Sequence, residues 1–394
     1  MRILLLLFVI SALLASGCTP KETVPTPVTA TPQGSASPGA PSTVIAPKAE
    51  PSSRTQAEGD AAWAKTIQDA QKEGKVIIYS FALAGDVGIA VTKAFKDKYG
   101  IKLEIVAGTS PVVLERVRAE YRAGQTMSDL VDMSVPRMLA LKDDKLTQSA
   151  KDLPVLQDKA SWYTHPLDLD PDGHILSYYM SISSPYINTT MVKAGEEPKS
   201  FLDLLQPRWK GKVMAGDPGV YIGTTYLYYA MVKKTNGLSE DFFRQMRGQI
   251  GKFVPGSARD QLLALIRGEG PINITTSSAG AASLVAEGAP IKAVNMKEGA
   301  VANPSTSFAL LPKAPHPNAA RVFLNWFLSA EGLKVFAQTG SNATLRKDVP
   351  DFLPAAARVD LSSAITLNFN DLAEIDKLYN AGYLTKLWKG EAGK

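Results

Sequence analysis

Short, nearly continuous apolar runs alternate along most of this chain with stretches whose apolar residues recur every three or four positions. Lys75-Val76-Ile77-Ile78-Tyr79 reads as a strand ending at Ser80, and Val87, Ala90, Val91, Ala94 and Phe95 then share one face of a helix that closes before Gly100. Ile101 to Val106 gives a second strand, Val113, Leu114, Val117 and Tyr121 a second helical face, and Leu130 to Met133 a third strand. The pattern returns in the second half. Lys212 to Ala215, Lys252 to Val254, Ile272 to Thr275 and Ile291 to Val294 read as strands. Between them lie an apolar helix from Tyr226 to Val232, a helix with Leu262, Leu265 and Ile266 inward, and an Ala-rich helix that stops at Gly288. Strand-helix alternation requires crossover connections, so the expected class is α/β, with mainly parallel sheets covered by helices on both faces.

Two more strands, Ile175 to Ile182 and Ser307 to Leu311, flank the second block. Each is expected to carry the chain between lobes, and two such crossings make a hinge. The folded part is too long for one compact core and suits two lobes of ~150 residues each. Residues 57–178 and 305–394 are assigned to lobe 1, and 179–304 to lobe 2, inserted within it.

The first residues have a different pattern. Arg2 precedes the apolar run Ile3–Leu14 and the small residues Ala15-Ser16-Gly17, directly before Cys18, the only cysteine. The run is shorter than the ~20 residues a membrane-spanning helix needs. It resembles the signal sequence of a bacterial lipoprotein, which implies that 1–17 are removed and that Cys18 carries lipid. Residues 18–56, rich in Thr, Pro, Ser and Ala, are expected to form a disordered tether holding the body away from the membrane. The charge is +5, from 43 basic against 38 acidic residues, and it is spread along the chain. No basic cluster interleaved with aromatics occurs, so a nucleic-acid partner is not expected. Three N-x-T triplets, at Asn188, Asn273 and Asn342, match a glycosylation acceptor that a bacterial leader argues against.

Hydroxyls supply the informative repetition. Ser80, Thr109, Ser110, Ser134, Thr224, Thr225, Ser257, Ser277 and Ser278 all sit just past strand-like runs, most of them before a helix, and Gly223 opens the loop at Thr224. In an open parallel sheet, strand ends and helix starts face one crevice, where free N–H groups attract an anion. The same residues also read as plain helix caps, above all Ser257 with Asp260 three positions on. Tyr221 and Phe81 read either as a stacking wall or as core; Arg259 and Arg346 either as partners of an acidic ligand or as solvated charges.

Glu73 to Ser80, Leu114 to Tyr121 followed by Ser128-Asp129-Leu130-Val131, and Gly268-Glu269 followed by Glu287 to Ile291 carry a more specific likeness. With Asn325 to Ser329 and Glu331-Gly332, in this order over about residues 60 to 350, the chain resembles the bacterial extracellular solute-binding proteins of the ferric-iron and phosphonate-type group. The resemblance implies a type 2 periplasmic-binding-protein fold with two crossings, which closes two lobes on a solute and delivers it to an ABC permease. Iron-binding members of that group place a tyrosine pair after the strand that follows Gly-Glu. Here the stretch is Thr275-Thr276-Ser277-Ser278-Ala279-Gly280, and the first loop, Ser80 to Leu83, lacks the histidine some of them use. His165, His174 and His316 lie outside these loops and are expected at surface or loop positions.

The expected ligand set is therefore Ser80, Phe81, Thr109, Ser110, Ser134, Tyr221, Gly223, Thr224, Thr225, Ser277 and Ser278, holding a small anionic or polar solute without cofactor or resident metal. A monomer anchored through Cys18 is expected beside its permease. Anion-assisted ferric-iron binding and a sensor role are the alternatives within the same fold. A secreted hydrolase fits less well, because there is no G-x-S-x-G elbow, no H-E-x-x-H and no histidine near the serine-rich loops.

Overall fold

The computed structural model describes residues 56–278, 280–340 and 342–390. The expected leader, Cys18 and the tether up to residue 55 lie outside the described residues. The described chain forms two sheets. The first contains β1 (Lys75–Ser80), β2 (Lys102–Ala107), β3 (Leu130–Ser134) and β4 (Leu176–Ser183). The second holds β5 (Tyr186–Asn188), β6 (Val213–Gly216), β7 (Ile250–Val254), β8 (Ile272–Asn273) and β9 (Ile291–Ala293). The chain then returns to the first sheet through β10 (Val301–Leu310) and β11 (Ile365–Thr366).

The two sheets repeat one plan. In the first, β2, β1 and β3 run parallel and β10 lies antiparallel to β3. In the second, β7, β6 and β8 run parallel and β5 lies antiparallel to β8. Gly100, at φ 71, ends the Gly85–Tyr99 helix in a left-handed turn open to glycine and hostile to other side chains, and this lets β2 start at once.

The crossings are β4 and β10, paired antiparallel from Val301↔Ser183 to Phe308↔Leu176. β10 begins six residues before the strand expected at Ser307. Pro304 has no N–H for a ladder, and the register shifts between Pro304 and Thr306 absorb it, so the strand continues through a residue that ordinarily ends one. Tyr178 of β4 stacks on Phe308 of β10 at 4.9 Å between centroids, with Phe327 and Phe336 edge-on at 5.0 and 5.3 Å. This aromatic block stiffens the lobe-1 end of the hinge.

Two further features were not expected. The Gln56–Glu73 helix packs on the Pro317–Phe327 helix, and the Glu73 carboxylate accepts from the N–H groups of Asn318 and Ala319 at its start. The helices Phe369–Asn380 and Tyr383–Lys389, assigned by sequence to lobe 1, pack on the second sheet's helices instead. Trp388 is the reason: it is buried, stacks on Phe243 at 6.0 Å, and its Nε1 donates to the Phe243 carbonyl at 2.8 Å. Asn188 and Asn273 are buried in β5 and β8, out of reach of a glycosylating enzyme.

Candidate functional site

In the first lobe, Asp132 is fully buried at the middle of β3. Its Oδ2 accepts from Ser80 Oγ at 2.6 Å and from the Ala82 N–H at 2.8 Å; its Oδ1 accepts from the Tyr178 hydroxyl at 3.0 Å. Its carbonyl takes the Phe81 N–H at 3.0 Å. Burial raises the carboxyl to about 6, and the donors around it hold the shift back. Ser80 has no proton to spare for a solute, because its O–H is spent on Asp132; one lone pair takes the Leu83 N–H at 2.8 Å, and the residue is fully buried. What this arrangement does is fix the loop Phe81–Ala84, with the Phe81 ring half-exposed at its tip.

Ser110 and Ser134 come together. Ser110 Oγ accepts the Ser134 N–H at 3.0 Å, tying the loop after β2 to the loop after β3. The expected N-cap role of Ser110 falls instead to Thr109, which makes no side-chain capping bond and is exposed. Ser134 stands at the N-cap of the Val135–Asp143 helix, also without a capping bond. Thr109 and Ser134 thus occupy N-cap positions in this lobe without spending their hydroxyls on the cap.

In the second lobe, Thr224 and Thr225 are buried, and Thr224 Oγ1 donates to the Gly216 carbonyl at 3.1 Å. Thr275 Oγ1 accepts the Gly216 N–H at 2.6 Å and donates to Gln261 Oε1 at 3.1 Å. The Gly216 and Gly223 positions are dictated by close approach: a Cβ there would fall 2.5 Å and 2.3 Å from the Tyr221 ring. Tyr221 therefore lies flat over its own loop, and its phenol meets Ser277, which holds down a shift that burial drives up to about 12. At neutral pH it is a neutral hydroxyl rather than a phenolate.

Ser277 and Ser278 ride on the hinge. Ser277 bridges to Ser183 at the end of β4, and the Ser278 N–H donates to the Ile182 carbonyl at 2.8 Å. Ser278 also lines a cavity of about 240 Å³, whose other walls are Ile182, Tyr163 and the segment from Asn342 to Ser362. Strand β4 is thus in contact with both groups of loops: its Tyr178 holds the lobe-1 loop through Asp132, and its far end holds Ser277 and Ser278.

Asp132 was missed by the sequence reading, although a carboxylate inside the apolar run Leu130–Met133 is a signal, because a buried charge must be paired. Ser257 does form a capping box with Asp260. Arg346 is buried, held by Asp348 through Nε at 2.8 Å and Nη2 at 2.7 Å and lying 5.0 Å from the Trp162 ring centroid, so it is committed within the protein. Arg259 lies beside the Ser278 loop, with Nη1 3.4 Å from Ser283 Oγ. His165 lies in a loop, at the N-cap of the short Pro166–Leu169 helix, and is buried there against Trp162 rather than exposed; His316 Nδ1 pairs with Asp129 at 3.0 Å. Among the described residues no group of three or more His, Cys, Asp or Glu is placed to hold a metal ion, and no helix is long and apolar enough to cross a membrane.

Comparison with known proteins gives a consistent picture. The sequence profile of a family described as bacterial extracellular solute-binding protein matches residues 90–361. An uncharacterized protein of Haemophilus influenzae is 25% identical over 280 residues, covering 69% of this chain and 78% of its own. The ferric iron-binding protein A of Mannheimia haemolytica, in an open conformation, superposes with a TM-score of 0.62 at 17% identity, over 81% of this chain and 100% of that one. An ABC transporter structure from Clostridium perfringens gives 0.61 at 14% identity, over 80% and 98%.

Proposed function

Because the chain belongs to the bacterial extracellular solute-binding proteins and has their two-lobed fold, we propose that it captures one small polar solute, anionic or neutral, between its lobes and passes it unchanged to an ABC permease. The family places it outside the cytoplasm as the solute-binding component of an importer. Attachment through a lipid on Cys18 and function as a monomer belong to the same reading. So does the lobe division, with the last two helices moved to lobe 2.

The observation that carries the proposal is the attachment of both half-sites to β4. A solute gripped by the Phe81 loop, Thr109 and Ser134 on one side and by Tyr221 and Ser278 on the other closes the clamp about strands that are already rigid at one end.

Native mass spectrometry of the purified full chain, followed by a thermal-shift panel of phosphonates, carboxylates, polyols and ferric salts, tests this. One class is expected either to be retained or to raise the midpoint by roughly 5 °C at a hundredfold excess over Kd. Chemical conversion of the bound compound would contradict the reading.

A further inference from the structure

The cavity beside Ser278 has a charge balance that narrows the solute. Arg346 in its wall is neutralised by the two-pronged contact with Asp348. Asp351, also in the wall, lies 3.4 Å from Arg358. Asp360 has no ion-pair partner among the described residues; the Ser362 hydroxyl and N–H lower its pKa, so it is ionised at neutral pH. An anion placed in this first cavity would meet the Asp360 carboxylate, and each cation of its wall already has a carboxylate partner; the exposure of Asp360 to solvent screens the repulsion without reversing its sign.

The remaining lining is neutral. Tyr163, 49% exposed, offers a ring face, and Ile182 and Leu361 offer aliphatic floor. The Asn342 amide and the hydroxyls of Ser278 and Thr344 can each donate and accept. A second chamber of about 350 Å³ adjoins the first, sharing Tyr163, Ile182 and Thr344 and adding Thr164, Thr366 and Lys347; the Lys347 ammonium donates to the Ala160 carbonyl at 3.3 Å and offsets the Asp360 charge, so the joined space carries no net excess of either sign. A ring face with aliphatic floor suits C–H surfaces, while a carboxylate, an amide and several hydroxyls suit vicinal hydroxyl groups.

We propose that this hinge cavity binds an uncharged polyhydroxylated compound of the carbohydrate class. The proposal rests on the reading of the cleft as a solute site, which this cavity meets at Ser278 alone, and it moves the rest of the contact to the segment from Asn342 to Ser362.

The test uses the full chain in thermal shift and calorimetry with ribose, glucose, fructose, sorbitol and myo-inositol, against inorganic phosphate and citrate. At least one neutral compound should raise the midpoint. Asp360→Ala and Tyr163→Ala, both exposed positions in a folded protein, should each weaken its binding at least tenfold, whereas Lys93→Ala on the outer face should leave it unchanged. Binding that is indifferent to both cavity variants would overturn the assignment. So would shifts from phosphate or citrate alone, although the clamp reading would then stand. No shift from any of the seven, in a chain that native mass spectrometry shows retaining a charged molecule, overturns the assignment and leaves the clamp. No shift and no retained molecule count against both.

Discussion

Replacing Asp132 by Ala lowers stability by about 3 kcal/mol at pH 8. Three buried donors are left without their acceptor, at roughly 1–3 kcal/mol each, and the net cost of keeping the carboxylate charged at this position, about 3 kcal/mol for a shift from the usual ~3.9 to near 6, is recovered. The pH dependence has a definite sign. A carboxyl whose native pKa is raised binds its proton more tightly in the folded than in the unfolded chain, so the wild type gains stability from this group as pH falls through 6 toward 4. The variant lacks that gain. Its deficit relative to wild type should therefore widen by roughly 1 kcal/mol between pH 8 and pH 5, read by urea unfolding at both. An equal or smaller deficit at pH 5 would show that Asp132 is not held as described. Hydrogen exchange at Ala82 and Leu83 should also speed up in the variant, because their N–H groups depend on Asp132 and on Ser80.

Ser278→Trp abolishes solute binding while the fold survives. Ser278 lines the 240 Å³ cavity, and an indole there takes up much of the space a solute would use. A loss of at least a hundredfold in affinity, about 2.7 kcal/mol, is expected by calorimetry with the solute identified in the screen. The stability cost should stay within the ~1–3 kcal/mol of local overpacking, since the side chain enters open space. Unchanged affinity in a folded variant would remove the Ser278 loop from the site. Thr225 offers no such test, because it is fully buried in the Gly223–Tyr228 helix and a bulky residue there attacks the core.

The parallel strands and their helices could be read from the pattern because each strand buried on both faces is a continuous apolar run, as in Lys75–Ser80 and Leu130–Ser134. β5 could not: Tyr186-Ile187-Asn188 is too short for periodicity, and only its pairing with β8 and β9 makes it a strand. β10 was half hidden because Pro304 lies within it, and the register shift that accommodates proline leaves no sequence mark. For the site, the loops bearing hydroxyls were legible and the use of each hydroxyl was not. Ser80 and Thr224 spend theirs on Asp132 and the Gly216 carbonyl, which depends on residues 52 and 8 positions away. The cavity walls between Asn342 and Ser362 were invisible for a related reason: that segment has almost no regular structure, so only tertiary contact gives it a face.

The two jaws of the proposed clamp share β4. Fluorophores placed at Lys93 and Leu202, exposed positions on the outer faces of the first and second lobes, report the distance between jaws. Energy transfer should rise when the solute found in the screen is added to the full chain, and the rise should be absent in Ser278→Trp. Saturated binding by calorimetry with no change in the distance between the labels would contradict it.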